Sequence, residues 1–492
     1  MDIFNPIKIA LQFFQIEYLI NHYISTMANY ILNNDTIAAL ATPHGAGAIA
    51  VIRLSGEKAI AIVEKVFFTK SLKHKTLANK TSHTAHYGLI IENDVIIDEV
   101  LVSMFKAPNT YTGEEIVEVS CHGSQFIQQQ LLQLFFKHGA RPAQAGEFTL
   151  RAFLNGKLDL SQAEAVADLI ASNSATSHQV AMQHMRGGFS DKIAVLRENL
   201  LNFASLIELE LDFSEEDVEF ADRTDLKKLI NTILGIIEKL ISSFEVGNVI
   251  KNGIPVAIVG KPNAGKSTLL NVLLEDDRAI VSDIPGTTRD TIEDELIIDG
   301  VLFRFIDTAG IRTTTDVIEQ IGVNKAFEVI KKSAIVIYLF DTHELSRGDL
   351  EIELNVIRDH IGTSQLLVVG NKIDFENLGD LKKEFEDIPN ILFISAKEQI
   401  HIKQLKDTLV SLFDTRTVNT TDTIVTNSRH VNSLNKAQQA LVKVNEGLSS
   451  NIQSDFLALD IRYALEALGE ITGQVTNDDL LGNIFSKFCI GK

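Results

Sequence analysis

Read for alternation and helical period, the chain changes character along its length. From Asp35 to about Asn155 short apolar or alternating runs predict strands at 48–54, 95–97, 100–105 and 116–119, with helical spacing at 59–67 and 125–137. That mixture predicts a compact α+β domain. From Ser161 apolar positions recur three and four residues apart, which predicts amphipathic helices over 163–172, 177–185, 190–211 and 226–244. The third of these runs into an acidic segment, 208–217, read as a solvated face. A third region alternates strand-like runs at 254–259, 303–306, 366–369 and 391–394 with glycine loops and helical stretches. Helical spacing then returns at 431–448 and 455–469. A helical region interrupted by another fold predicts an insertion, because a domain is tolerated where its own ends lie close together.

Composition adjusts this picture in a few places. With 492 residues the chain exceeds what one core organises, so about three domains are expected at roughly 150 residues each. The net charge of −20 excludes a protein that grips nucleic acid through a general basic surface, since affinity for phosphate backbones comes from Lys and Arg. Any RNA contact must be local or supplied by a partner. Two cysteines far apart, Cys121 and Cys489, make no disulfide framework and no metal knuckle, which fits a reducing cytoplasm. Residues 1–26 are apolar but lack the basic start and cleavage site of a signal peptide and the arginines of a transit peptide. They are read as an extension, with Met27 the expected start. No run reaches the ~18 to 20 apolar residues that cross a bilayer, so no membrane attachment is expected.

The chemistry centres on Gly260-Lys261-Pro262-Asn263-Ala264-Gly265-Lys266-Ser267, a G-x-x-x-x-G-K-S loop between a β-branched run and the helix-like stretch from Thr268. Strand, glycine loop and helix are what a phosphate cradle requires: consecutive backbone N–H groups converge at a helix N-terminus, where partial positive charge favours phosphate oxygens. Lys266 would reach the β- and γ-phosphates, and Ser267 would ligate Mg²⁺. Three further motifs follow strand-like runs, and Thr287-Thr288-Arg289-Asp290 supplies a switch threonine. Asp307-Thr308-Ala309-Gly310 brings a carboxylate near Mg²⁺ and a glycine amide near the γ-phosphate. Asn371-Lys372-Ile373-Asp374 is placed to read the base. A carboxylate at Asp374 accepts from both N1–H and the 2-amino group of guanine, donors that adenine lacks, so the motif selects GTP over ATP. Ser395-Ala396-Lys397 fits the second guanine-contacting loop.

Other stretches carry a resemblance. Asp35-Thr36-Ile37-Ala38, Ala41-Thr42-Pro43, Tyr111-Thr112-Gly113-Glu114-Glu115, His122-Gly123, Arg141-Pro142-Ala143-Gln144-Ala145-Gly146-Glu147-Phe148, the run Arg151 to Leu160, Gln162-Ala163-Glu164-Ala165, Asp212-Phe213 and the end Phe488-Cys489-Ile490-Gly491-Lys492 all match one pattern. From about residue 34 to the end the chain resembles the MnmE (TrmE) family of bacterial tRNA-modification GTPases. The resemblance implies a multidomain α/β protein. Its parts are an extension at 1–33, an α+β folate-binding and dimerisation domain at 34–155, a helical domain at 156–249 and 416–492, and an inserted Ras-like P-loop GTPase domain at 250–415. The last is expected to have a mixed, mostly parallel sheet with helices on both faces.

It also implies a homodimer, a heterotetramer with an FAD-dependent MnmG (GidA)-type partner, tRNA as substrate, and GTP, Mg²⁺, K⁺ and a 5-formyl- or 5,10-methylene-tetrahydrofolate as cofactors. Arg53, Glu118, Lys157 and Lys492 would line the folate site, where a carboxylate suits the donor pair of a pteridine and basic side chains suit the glutamate tail. Ile311 stands where Ras-like enzymes place the glutamine that orients water. The family uses instead a downstream glutamate, matched here by Glu319. In place of an arginine finger it binds potassium, for which Asn263, Ser282, Ile284 and Thr287 would supply oxygens within the loop Ser282-Asp283-Ile284-Pro285-Gly286-Thr287; Thr288 and Ser267 would hold Mg²⁺. Where the family commonly shows threonine and alanine, this chain has Ser282 and Pro285, and the proline stiffens the loop and removes a donor. Cys489, near Lys492 in a mobile-looking tail, is a catalytic candidate. Cys121 and His122 are read as structural, since neighbours on a strand face opposite ways. The implied activity is addition of an aminomethyl-type group at C5 of the wobble uridine of certain tRNAs, the alternative being a ribosome-assembly or RNA-chaperone GTPase without modification chemistry.

Overall fold

The computed structural model describes residues 35–212, 223–275, 294–306, 327–362, 364–375, 378–389, 391–412, 423–450, 454–476 and 478–491. They form two compact units, one made of the residues up to Ala167 with those from Thr472 onward, the other of Asp168–Ile471.

The first unit is built on seven strands: β1 Thr36–Leu40, β2 Ile49–Ser55, β3 Phe67–Phe68, β4 Thr84–Glu92, β5 Val95–Phe105, β6 Ile116–His122 and β7 Ala140–Pro142. They lie in the order β3-β4-β5-β6-β2-β1-β7, antiparallel except for the β1–β7 pair. Alternation puts Ile52 and Leu54 of β2 and Val117 and Val119 of β6 on the face that packs with helices α1 Ala59–Glu64 and α2 Gln125–Lys137. Arg53 and Glu118 therefore fall on the other face, directly opposite each other across the ladder.

The strands expected at 95–97 and 100–105 are one strand. Asp98, which breaks the apolar pattern, stays in the ladder because its buried carboxylate accepts from the His122 amide at 2.8 Å and meets His122 Nδ1 at 2.6 Å. Helix α3 Glu147–Leu154 carries Arg151, which pairs with Asp35, Glu114 and Glu147, while Arg141 pairs with Asp35 and Glu147. This network ties the start of β1, the loop before β6 and β7 to one helix.

By their contacts, the C-terminal residues from Thr472 onward cluster with the first unit. The cause is apolar: Leu481, Phe485 and Phe488 bury against Leu160 and Ala163 of helix α4 Leu160–Ala171. Beyond them Ala145 bridges Ile490 and the Cys489 carbonyl accepts from the Gly146 amide at 3.4 Å, so the described tail is paired with the segment before α3.

The second unit opens with α5 Ala175–Met185, α6 Gly188–Asp212 and α7 Arg223–Asn252. It continues as β8 Ile254–Val259, α8 Lys266–Glu275, β9 Asp294–Ile298, β10 Val301–Phe305, β11 Ile335–Asp341, α9 Arg347–Arg358, β12 Gln365–Asn371, α10 Leu378–Glu384, β13 Ile391–Phe393 and α11 Ile402–Leu412. It closes with α12 Ser428–Ser449 and α13 Ser454–Thr472. The sheet order is β13-β12-β11-β8-β10-β9, parallel except for the β9–β10 hairpin. Leu269, Leu273 and Leu405 cover one face, and Leu350, Leu381 and Phe385 the other. Strands covered on both faces read as continuous apolar runs, which is why all seven residues of β11 are buried. Leu200 of α6, Ile230 of α7, Leu441 of α12 and Ile461 of α13 share one core, so the sheet is inserted within a single helical body.

Candidate functional site

The P-loop leaves the C-terminal end of central strand β8, where ligands of open α/β sheets bind. Its backbone turns through φ of 151° at Gly260, 65° at Asn263 and 97° at Gly265. A Cβ at Gly265 would stand 2.3 Å from Asn371 Nδ2, so glycine is required there twice over, for its φ and for room. Lys266 opens α8, and its ammonium donates to the Gly260 and Lys261 carbonyls at 2.7 Å each. Burial lowers its pKa. The cation is thus held inside the curve of the loop, where a phosphate would become its counter-charge. Ser267, the next residue, is partly buried, while Ala264 is buried and Asn263 and Thr268 are exposed.

The two stretches expected to contact the base are joined to this loop by one buried side chain. Asn371 donates from Nδ2 to the Ala264 carbonyl at 2.8 Å and accepts at Oδ1 from the Ala396 amide at 2.9 Å. Both ends of its amide are therefore used within the protein, and it fixes the P-loop and the Ser395-Ala396-Lys397 turn relative to each other. Asp374 accepts from Ser395 Oγ at 2.7 Å. That bond, before the charges of Lys397 and His343, holds the carboxyl below its usual range and keeps it ionised as an acceptor. Ile373 is buried beneath it, Lys372 pairs with Asp341 Oδ2 at 2.6 Å, and Lys397 is exposed.

Sequence reasoning missed Asp341 and Thr342. Thr342 donates to the Asn371 carbonyl at 3.1 Å, and Asp341 orients Lys372. The available signal was a carboxylate closing an otherwise apolar strand. Ser282, Asp283, Ile284, Pro285, Gly286, Thr287 and Thr288, the Asp307-Thr308-Ala309-Gly310 motif, Glu319 and Lys492 lie outside the described residues.

A second cavity, of about 310 Å³, sits in the first unit and is lined by Arg53, His83, Phe105, Asn109, Thr110, Tyr111, Ile116 and Glu118. Arg53 takes Glu118 Oε1 through Nη2 at 2.8 Å and Nε at 2.9 Å, and its guanidinium stands 5.7 Å from the ring centres of both Tyr111 and Phe148. Tyr111 exchanges a hydrogen bond with Thr149 at 2.9 Å, and burial raises its pKa. The wall thus combines a carboxylate, a guanidinium and aromatic edges. Lys157 does not line the cavity; it is exposed, with its stem beside Gly113 in the loop that carries Thr110 and Tyr111. The aromatic lining was not legible, because it requires the register of β5 and the path of that loop. Cys489 is exposed and Cys121 buried; burial, then Asp98, pushes the Cys121 thiol up to about 11, which makes it a poor nucleophile.

A family model described as the GTP-binding protein TrmE N-terminus matches residues 36–157, and one described as the MnmE helical domain matches 160–489. The tRNA modification GTPase MnmE of Flavobacterium psychrophilum is 58% identical over 464 residues, covering 94% of this chain and 100% of its own length. The chain belongs to the MnmE family. The MnmE of Bacteroides fragilis is 52% identical over 473 residues, again covering 94% of this chain and 100% of its own. Among solved structures, Era in complex with MgGDPNP and a piece of 16S ribosomal RNA matches 38% of this chain and 66% of its own at 28% identity, with a TM-score of 0.25. As an MnmE-family protein the chain is a tRNA modification GTPase, and its nucleotide is GTP. Among the described residues no helix is long and apolar enough to cross a membrane.

Proposed function

We propose that this GTPase works with an FAD-dependent MnmG (GidA)-type partner and a tetrahydrofolate one-carbon donor to add an aminomethyl or carboxymethylaminomethyl group at C5 of the wobble uridine of certain tRNAs. It acts as a cytoplasmic homodimer that assembles with the partner into a heterotetramer. The observation that carries the reading is the Arg53–Glu118 pair in its own cavity, in a different unit from the P-loop. A protein that only switched on GTP has no use for a second built site.

The residues present suit a pterin. Arg53 occupies only Oε1 of Glu118, and among the described residues Oε2 has no partner, which leaves an acceptor for the amidine-like edge of the ring. Lys157 and Lys492 would meet the anionic glutamate tail. Folate supplies the one-carbon unit, and Cys489 is the candidate nucleophile. In the nucleotide site Ser267 and Thr288 would hold Mg²⁺, with Asp307 nearby. Asn263, Ser282, Ile284 and Thr287 would hold K⁺ against the phosphates, and Glu319 would orient the attacking water.

Mass spectrometry of wobble nucleosides from cells lacking the protein tests the reading. Loss of a C5-aminomethyl-type uridine, restored by the wild-type chain and not by Arg53→Ala or Glu118→Ala, is expected. An unchanged nucleoside profile favours the ribosome-assembly alternative.

A further inference from the structure

Hydrogen bonds from Thr176 and Asn173, together with a cavity, link the β9–β10 hairpin to the helices of the second unit, and neither site described above uses them. At the hairpin tip, Asp299 and Gly300 turn with φ of 49° and 80°, and the Gly300 carbonyl accepts from Thr176 Oγ1 at 3.3 Å. On edge strand β9, Glu295 Oε2 accepts from Asn173 Nδ2 at 3.4 Å. Beside them Asp168, Lys251, Glu295 and Arg304 line a cavity of about 280 Å³, with Asp168 and Lys251 paired at 2.8 Å.

The cavity has mixed walls, with Ala171, Val180, Ile250 and Leu302 beside the charged groups, and although Val249 of α7 packs onto the core of the sheet, the helices and the sheet each have their own core. Bonds at the long end of the hydrogen-bond range, beside an open cavity, belong to the part of a structure that opens at low cost. The junction is therefore not what holds either body together. Its place in the chain suggests another role. Strand β9 starts at Asp294, shortly after Thr288, and β10 ends at Phe305, shortly before Asp307, so the hairpin is the common base of both phosphate-sensing segments. Two strands bonded along their whole register shift together, and a shift is delivered to the N-terminus of α5 and the end of α4. Within α4, between Ala167 and Asp168, the chain passes from one unit to the other.

We infer that this hairpin–helix junction is a nucleotide-sensitive latch, closed as seen here and released during GTP turnover, through which hydrolysis is felt by the helices. The inference rests on GTP turnover and not on folate or uridine chemistry, so its failure leaves that reading standing.

A Cβ at Gly300 would stand 4.0 Å from the Ala175 Cβ, inside the ~3.5 to 4.5 Å that a disulfide spans. The full-length double variant Ala175→Cys, Gly300→Cys can therefore be locked by oxidation and freed by reductant, with the intended bond confirmed by peptide mapping. The oxidised protein should bind GDP within about twofold of the reduced one, while GTP turnover falls by about tenfold or more and returns on reduction. Equal turnover in the two forms overturns the latch. Because a side chain at positive φ is strained, the unmodified chain supplies a second test by hydrogen exchange. Amides of 173–178 and of β9–β10 should exchange faster with GDP and aluminium fluoride than with GDP alone; equal exchange overturns the inference.

Discussion

Asp374 is the residue proposed to read the base, and it would do so as a fixed anion. The Ser395 hydroxyl donates to one of its oxygens and stabilises the charged form, so the carboxylate would meet a guanine edge as an acceptor. Replacing it by asparagine exchanges an acceptor for a donor without changing shape. Asp374→Asn should move preference from GTP toward XTP by about 10² or more, since the amide presents a donor where guanine needs an acceptor and matches xanthine instead. Competition between the two nucleotides measures it, and retained GTP preference removes Asp374 as the reader. Asn263 poses a different test. It is exposed and held at φ of 65°, so its amide is free to face a ligand rather than the protein core. If it helps hold potassium, hydrolysis should be faster in potassium than in sodium, and Asn263→Ala should erase that difference while sparing affinity set by the P-loop backbone. Glu319→Ala should instead lower turnover by about 10² to 10⁴ in either salt, the span of a residue that positions or activates water. Equal wild-type rates in the two salts would sink the ion assignment.

Elements, rather than single side chains, decide how the loops meet. Asn371 ends β12, and both halves of its amide join loops that come from β8 and β13. Asn371→Ala leaves the Ala264 carbonyl and the Ala396 amide unpaired in a buried place, which costs about 1–3 kcal/mol apiece. Where the loops relax in the free protein and must be re-formed on binding, the summed cost of about 2–6 kcal/mol lowers GDP affinity by about 30-fold to 10⁴-fold, with thermal unfolding of the first unit unchanged. A fluorescent-GDP titration with affinity intact would show that water or relaxation replaces both bonds. The same elements mark where the sequence was legible. Helix 125–137 was legible residue for residue, because its spacing is regular and its apolar face meets one core. That the P-loop, Asn371-Lys372-Ile373-Asp374 and Ser395-Ala396-Lys397 stand at strand ends was legible, because glycines and short polar runs there dictate their own geometry. Strand β1 was not, since Thr36–Leu40 is buried on both faces and shows no alternation. Neither was the cavity lining of His83, Phe105 and Tyr111, which only tertiary register brings together.

At the scale of the whole molecule, the chain's last residues return to its first unit, and this separates the two chemistries. Phe488 is buried with Leu160 and Phe485, Ile490 bridges Ala145, and Gly491 lies against the end of β1 with φ of 97°. A Cβ at Gly491 would stand 2.1 Å from the Leu40 carbonyl oxygen, a distance no side chain tolerates. Gly491→Val therefore has to lift the final residues away from β1, while Phe488, three positions earlier, still anchors the helix Asp478–Phe485 against Leu160 and keeps the unit folded. The described parts of the nucleotide site lie in the second unit and make no use of the tail. GTP hydrolysis by Gly491→Val should thus stay within about twofold of wild type. On the proposed function, modification of the wobble uridine should fall by about tenfold or more, because the variant shifts Cys489, the candidate nucleophile, relative to Arg53 and Glu118, and small misplacements of reacting groups cost rate on this scale. Gly491→Ala should lie between the two, since its smaller side chain meets the same carbonyl. Nucleoside mass spectrometry of complemented cells, paired with hydrolysis assays on the purified variants, separates the outcomes. Normal modification by Gly491→Val would show that the docked tail has no part in the one-carbon chemistry, whereas loss of both activities together would mean that the tail supports the fold and not the reaction.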